Sequence, residues 1–474
     1  MVSVADAVER LGALAAAPPL AGLATAFASA GHELALVGGP VRDAFLGRPV
    51  TDLDLATDAR PERTLEIVAP LAATTWDVGR EFGTIGALVA GERVEITTYR
   101  ADAYDGTTRK PVVAFGTELE GDLRRRDFAV NAMALRLPAR QLVDPCGGLE
   151  DLLAGVLDTP SDPEVSFGDD PLRMLRAARF TGQLGFRVAD RVARAMGALA
   201  GTLEIVSAER IADELAKLLR SADPVPGLRL LVDTGIAELV LPELPALRLE
   251  ADEHAHHKDV YEHTLTVLSQ AIELERSRAL PGAPDLVLRL AALLHDIGKP
   301  ATKRVEGRSV SFHHHDVVGA KLAAKRLRAL RFDNDTIASV CRLVELHLRF
   351  FGYSDQAWTD AAVRRYVRDA GDELERLHIL TRADVTTRNR RKAERLEFAY
   401  DDLEQRIAEL REQEELDSVR PDLDGERIMA ILGLEPSREV GEAYRFLLDL
   451  RLDEGPLGPE EAERRLRAWW AGRG

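Results

Sequence analysis

Strand-forming sequence is confined to the first third of this chain. Up to about Pro145 short β-rich runs alternate with helical ones. Beyond it Ala, Leu, Arg and Glu recur at helical spacing to the end. That change of character predicts an α/β N-terminal domain followed by a mostly helical neck and body. At roughly 100–200 residues per domain, 474 residues predict two to four domains. Composition shifts place the boundaries so as to give domains at 1–145, 146–245, 246–392 and 393–474. The glutamate- and aspartate-rich stretch from Tyr400 to Arg420 reads as a solvated helical face. With 46% hydrophobic and 30% charged residues, a disordered tail, a collagen-like fibre and a disulfide scaffold are excluded.

Charge decides less. The 62 basic and 79 acidic side chains leave a net −17, which argues mildly against a nucleic-acid binder, yet a phosphate cleft needs only a handful of arginines. The two cysteines, Cys146 and Cys341, lack metal-finger spacing and are expected as reduced thiols. No apolar run reaches the roughly 20 residues of a membrane span, and the N-terminus lacks a basic leader region. The expectation is a soluble cytoplasmic protein with no membrane partner.

Within the head, ELALVGG (33–39) reads as a buried strand ending in a glycine pair. PVRDAFLG opens with Pro at a first helical turn and closes on Gly47. TDLDLAT alternates as a half-buried strand does, so Asp52 and Asp54, two apart, present their carboxylates on one face. Paired carboxylates repel unless a cation lies between them, and hard oxygen ligands suit Mg²⁺. Such a pair can activate a hydroxyl and stabilise a leaving pyrophosphate. The Gly38–Gly39 turn lets backbone N–H groups approach a triphosphate at a helix start, and Arg42 reaches the same phosphates. GTIGALVAGERVEITTYR reads as a hairpin through Gly91 that carries Glu95, either a third metal carboxylate or an exposed strand residue. YDGTTRKPVVAFGTE reads as a loop free to move over a site.

The ordered string GGPVRDAFLGRPVTDLDLAT resembles the signature of polymerase-β-type nucleotidyltransferases, specifically the bacterial class II tRNA nucleotidyltransferase and poly(A) polymerase family. RRRDFAVNAMAL (124–135), DDPLRMLRAARF (169–180) and ERIADELAKLL (209–219) are similar to its following motifs, so the resemblance spans about residues 20–240. It implies that Arg126, with Arg125 the alternative, contacts the nucleotide. It also implies that Asp170 and Arg173 pair with the incoming base as a protein template. Asp169 stands where the family commonly has glutamate, which puts its contacts in doubt. The spacing of Asp170, Arg173, Arg176 and Arg179 by itself predicts an acceptor and a row of guanidinium forks on one slowly turning helix face, or else a salt-bridged surface helix.

A second constellation spreads over DVYEHTL, LLHDIGKP, SFHHHDVVGA, LVELHLR and RADVTT. A lone helical histidine is usually structural, but His–Asp–Ile–Gly–Lys in this company resembles the HD phosphohydrolase superfamily. The resemblance implies a divalent metal at His263, His295, Asp296 and Asp384 in an all-α HD domain, with His313, His315 and His347 as further ligands if two metals bind. Together the motifs imply a polymerase-β-type palm adding C, C and A to the tRNA 3′ end from CTP and ATP, with Mg²⁺ as cofactor. The alternatives are a poly(A) polymerase, a CC- or A-adding enzyme, or an HD phosphohydrolase or cyclic phosphodiesterase as the main activity. No motif is identifiable after about residue 390, and an RNA-contacting or dimerising tail is expected there.

Overall fold

The computed structural model describes residues 3–50, 52–77, 80–101, 114–249, 259–306, 309–350, 352–353, 358–386, 389–414 and 420–473. The chain divides into two compact units, residues 1–218 with 222–239, and residues 219–221 with 240–474.

The first unit is built on a mixed seven-stranded sheet. Its strands are β1 (Leu34–Val37), β2 (Leu53–Thr57), β3 (Ala72–Trp76), β4 (Thr84–Val89), β5 (Glu92–Thr98) and the later pair Ala134–Leu137 and Gln141–Val143. The order is β3-β4-β5-β2-β1 followed by that pair, and only β2 and β5 run parallel. β1 is buried throughout because it lies in the sheet interior. The expected alternation in β2 holds only at its start; Leu55, Ala56 and Thr57 are all buried, since a central strand is covered on both faces. The hairpin through Gly91 forms as the sequence predicts, with Ala90 at φ 52° and Gly91 at φ 85°. Of the expected loop at 104–118, residues 104–113 lie outside the described residues, while Ala114–Phe115 pair with Arg100–Ala101.

Beyond the sheet this unit is helical, with one short parallel bridge between Val156–Leu157 and Arg187–Val188. The helix Leu172–Leu184 stops at Gly185, φ 74°, where only glycine bears the left-handed turn without strain. It buries Leu172, Met174, Leu175, Ala178 and Phe180 and turns its arginines the other way.

The second unit is almost wholly helical among the described residues, apart from the hairpin Arg304–Glu306 with Ser309–Ser311. Helices Val260–Ser277, Leu286–Leu294, His315–Ala329, Asn334–Leu346 and Leu374–Ala383 pack around an aliphatic core. A buried ion pair pins it: Arg289 donates to Glu275 at 2.6 Å and to the carbonyls of Leu219 and Ser221. Helices Gly425–Leu432, Arg438–Glu454 and Pro459–Ala471 close over a separate small core centred on Ile428, Leu447 and Leu466. No single described helix is long and apolar enough to cross a membrane.

Candidate nucleotidyl-transfer site and histidine–aspartate centre

In the first unit, β1 ends at Gly38 with φ 72°, and the helix Gly39–Leu46 starts there with Pro40 in its first turn. A Cβ at Gly38 would lie 2.9 Å from Arg126 Nη1, so the residue is both turn and clearance. A cleft of about 350 Å³ opens beside this turn, lined by Gly38, Gly39, Arg42, Asp52, Asp54, Arg126, Asp127, Arg176 and Arg179 among others. The parallel register sets Glu95 of β5 opposite Asp54 of β2. Burial raises the pKa of the Asp54 carboxyl, and the Glu95 and Asp52 charges raise it further against the pull of Arg126 and Arg42. An aspartate whose charge is opposed by burial and by two neighbouring carboxylates is a site that a hard divalent cation would relieve. Glu95 itself is exposed, with Arg93 at 3.9 Å.

The arginines are braced before any nucleotide arrives. Arg42, 5% exposed, donates to Asn131 at 2.5 Å and to Asp43 at 2.9 Å. Arg126 donates to Asp122 at 3.2 Å. Arg176 donates to Asp127 at 2.5 and 2.8 Å, and Arg179 to the buried Glu214 at 2.7 Å. Burial opposes the Asp127 charge, but Arg176 and the Asn131 amide outweigh it and hold its pKa down to about 2.

The sequence row of Asp170, Arg173, Arg176 and Arg179 splits in the structure. Pro171 opens the helix, so Asp170 stands just before it in extended conformation and accepts from the Leu172 N–H. Asp170 also accepts from Arg210 at 3.1 Å, while Arg173 donates to Ser166 Oγ at 2.8 Å and to the Arg125 carbonyl at 2.7 Å. Arg176 and Arg179, one and two turns on, face the cleft with Phe180. The guanidinium forks of this face brace Asp127 and Glu214 rather than Asp170.

The second unit gathers its own donors. His263, His295 and Asp384 form one group and Asp296, His315 and His347 another, with the donor atoms of each within 4.8 Å of one another. His263 Nε2 lies 2.9 Å from Asp384, His295 Nε2 3.2 Å from Asp296, and His315 Nε2 3.3 Å from the other Asp296 oxygen. Nδ1–H of His295, His315 and His347 donates to the carbonyl three residues earlier, and His263 Nδ1 meets Thr386 Oγ1. That fixes Nε2 toward the centre. Despite these approaches, Nε2 of His295, His315 and His347 and Oδ1 of Asp296 are buried without an aligned hydrogen bond, which is how ligand atoms prepared for an ion look. Burial works against a charged His295, but Asp296 and Asp384 outweigh it and push its pKa up to about 10; burial pushes His347 down to about 4. Lys299 donates to Asp296 at 2.6 Å. Gly298 is required here, since a Cβ would lie 2.0 Å from the His315 carbonyl. His313 is exposed, on the turn before the helix that begins at His315, and belongs to neither group.

Comparison with known proteins decides the family. The family model described as the poly(A) polymerase head domain matches residues 34–158, the probable RNA- and SrmB-binding site of polymerase A matches 185–247, and the HD domain matches 260–389. The A-adding tRNA nucleotidyltransferase of Deinococcus radiodurans is 36% identical over 448 residues, covering 92% of this chain and 95% of its own. The chain belongs to the tRNA nucleotidyltransferase and poly(A) polymerase family. It is an enzyme. The CC-adding tRNA nucleotidyltransferase of Thermus thermophilus is 34% identical, with 92% and 93% covered. The CCA-adding enzyme of Bacillus stearothermophilus, solved in complex with CTP, shares the fold at TM-score 0.71 and 24% identity over 96% of this chain and 99% of that one.

The cleft residues Asp127 and Asn131, and Glu214, which pairs with Arg179, carry no role of their own in the sequence reading. Asp127 and Asn131 stand in the quoted RRRDFAVNAMAL run, yet their partners Arg176 and Arg42 lie 49 and 89 residues away. Glu214 sits in ERIADELAKLL, where its burial is signalled only by its place among apolar residues.

Proposed function

We propose that the chain transfers CMP, CMP and AMP from CTP and ATP onto the 3′ end of tRNA and releases pyrophosphate. The observation that carries this reading is the cleft in which Asp52 and Asp54, with Glu95 opposite Asp54 in the strand register, adjoin a wall of braced arginines. Mg²⁺ held by Asp52 and Asp54 would supply Lewis acidity toward the attacking 3′ hydroxyl and the leaving pyrophosphate. Gly39 N–H, Arg42 and Arg126 hold the triphosphate, and Arg176 and Arg179 face it from the opposite helix. Asp170 and Arg173 read the base edge, one accepting and one donating. In this reading 1–145 is the catalytic head, 146–245 the neck, 246–392 the HD domain and 393–474 the tail, all working in the cytoplasm. The HD centre takes a divalent ion on His263, His295, Asp296 and Asp384, with His315 and His347 completing a second position, and hydrolyses phosphoesters.

A second reading, addition of only A or only CC, is favoured by the names of the Deinococcus and Thermus relatives, which match along nearly the whole chain. The test uses tRNA transcripts ending before CCA, after C and after CC, each with Mg²⁺ and CTP, ATP or both, sized at single-nucleotide resolution. C, C and A followed by a stop supports the proposal. A halt after CC, or A alone, replaces it with the second reading, and a long A tail makes the enzyme a poly(A) polymerase. No addition by folded protein shifts the main activity to the HD centre.

A further inference from the structure

The helix Arg390–Glu414 starts six residues after Asp384 and runs back along the helix Leu374–Ala383. Tyr400 donates to the Thr381 carbonyl at 2.7 Å, Arg382 to Asp401 at 2.7 Å and to Glu404 at 2.9 Å. Two antiparallel helices advance equally per residue, so this pairing brings Phe398 level with Asp384 and sets the preceding turns just beyond the metal-ligand end. Phe398 is 72% exposed, the most exposed aromatic side chain among the large hydrophobics described. Arg391 and Arg395, seven and three residues earlier, share its face, with Lys392 beside them. All three cations are exposed, and none makes an ion pair or side-chain hydrogen bond among the described residues. Of the nearby acids, Glu394 pairs with Arg390 and Asp401 with Arg382, while Asp402 accepts from the Tyr353 hydroxyl and keeps its charge, as does the exposed Glu397. A chain of net charge −17 thus carries, in the run RRKAERLEF (390–398), four cations against two acids around a bare aromatic ring.

We propose that Arg391, Lys392, Arg395 and Phe398 form a docking surface for a single-stranded RNA segment beside the histidine–aspartate centre. Free guanidinium and ammonium groups take phosphates, and a bare ring stacks an unpaired base, which a duplex cannot offer. An acidic protein partner would use the charges but not the lone ring. The inference rests on the reading of RNA as the substrate.

The test irradiates the full chain with a 12-nucleotide single-stranded RNA carrying 4-thiouridine and maps adducts by mass spectrometry. Adducts within residues 391–398 are expected. Their yield should fall about tenfold in Arg391→Glu/Lys392→Glu/Arg395→Glu and at least about fivefold in Phe398→Ala. Should the triple variant fail to fold by circular dichroism, Phe398→Ala decides alone, because its side chain is exposed. Adducts only elsewhere, or unchanged yields, overturn the proposal. Suppression of the wild-type adduct by equal charge of polyglutamate as effectively as by unlabelled RNA also overturns it, marking a general polyanion patch. Nucleotide addition to tRNA is measured on the same preparations. Addition without these adducts rejects the docking surface alone, whereas adducts without addition reject the polymerase reading and leave the surface.

Discussion

Asp127 shows how much one carboxylate can hold. It lies among Arg176, Asn131 and its own neighbour's N–H, and touches both the RRDF segment and the helix that faces it. Removing Arg176 would leave that charge buried and unmatched. Arg176→Ala is expected to destabilise the protein by about 2–4 kcal/mol, discounted for the partial exposure of the arginine, as read by urea denaturation. The Asp127 pKa is depressed from its unfolded value near 4 to about 2. Its contribution is therefore complete above pH 4 and fades as pH falls from about 4 to 2. Across that window the wild type should lose about 2 kcal/mol that an Asp127→Asn variant no longer has to lose. A loss of equal size in both proteins would assign the acid sensitivity elsewhere. At the cleft floor, Asp54→Asn should cut nucleotide addition more than about 100-fold while leaving the melting temperature unchanged or raised, because burial already disfavours the charge there.

At the scale of elements, strand–turn–helix units were the legible part. The glycine pair after an apolar run, Pro in a first turn, Gly47 as a stop and the hairpin at Gly91 are local devices whose spacing needs no tertiary knowledge. The DxD and HD runs are local too: His263, His295, Asp296 and Asp384 fall in the two donor groups together with His315 and His347, whereas His313 falls in neither. What the sequence did not disclose is long-range pairing. Nothing near Arg42 announces Asn131, and nothing near Arg179 announces Glu214, since side-chain partners so distant in sequence are set only by packing. A periodicity of three reads Asp170 onto the same helix as the arginines, whereas Pro171 favours a start there and leaves the preceding residue outside. Gly298 belongs at this scale as well. Gly298→Ala drives a methyl group into the His315 carbonyl, so the helices must separate. The expected result is a loss of about 1–3 kcal/mol and a weakened Mn²⁺ titration at the HD centre, with nucleotide addition retained. Normal Mn²⁺ binding by calorimetry would show that the helices tolerate the shift.

For the whole molecule, two compact units each carry their own candidate site. Asp52→Ala should therefore abolish addition and spare metal binding at the HD centre, while His295→Ala with Asp296→Ala should do the reverse. Loss of both functions in either variant would show that the units depend on one another. Acidic overall charge sets a further condition on RNA binding, since phosphates must meet local arginines against a repulsive background. KM for tRNA is expected to rise steeply with salt, by about tenfold or more between 50 and 200 mM, while turnover at saturation stays level. A flat profile would mean that shape, not charge, holds the RNA.

The histidine N–H groups tethered to their own helices decide how the second unit would acquire the proposed ion. Because the ring orientations are set by backbone carbonyls rather than by the metal, loading requires no folding step, only exchange of a proton for a cation. Mixed imidazole and carboxylate donors accept most first-row divalent ions, with affinities graded by the element itself. Occupancy then becomes a matter of supply, and the metal recovered with this protein would be a record of the medium in which the cell grew.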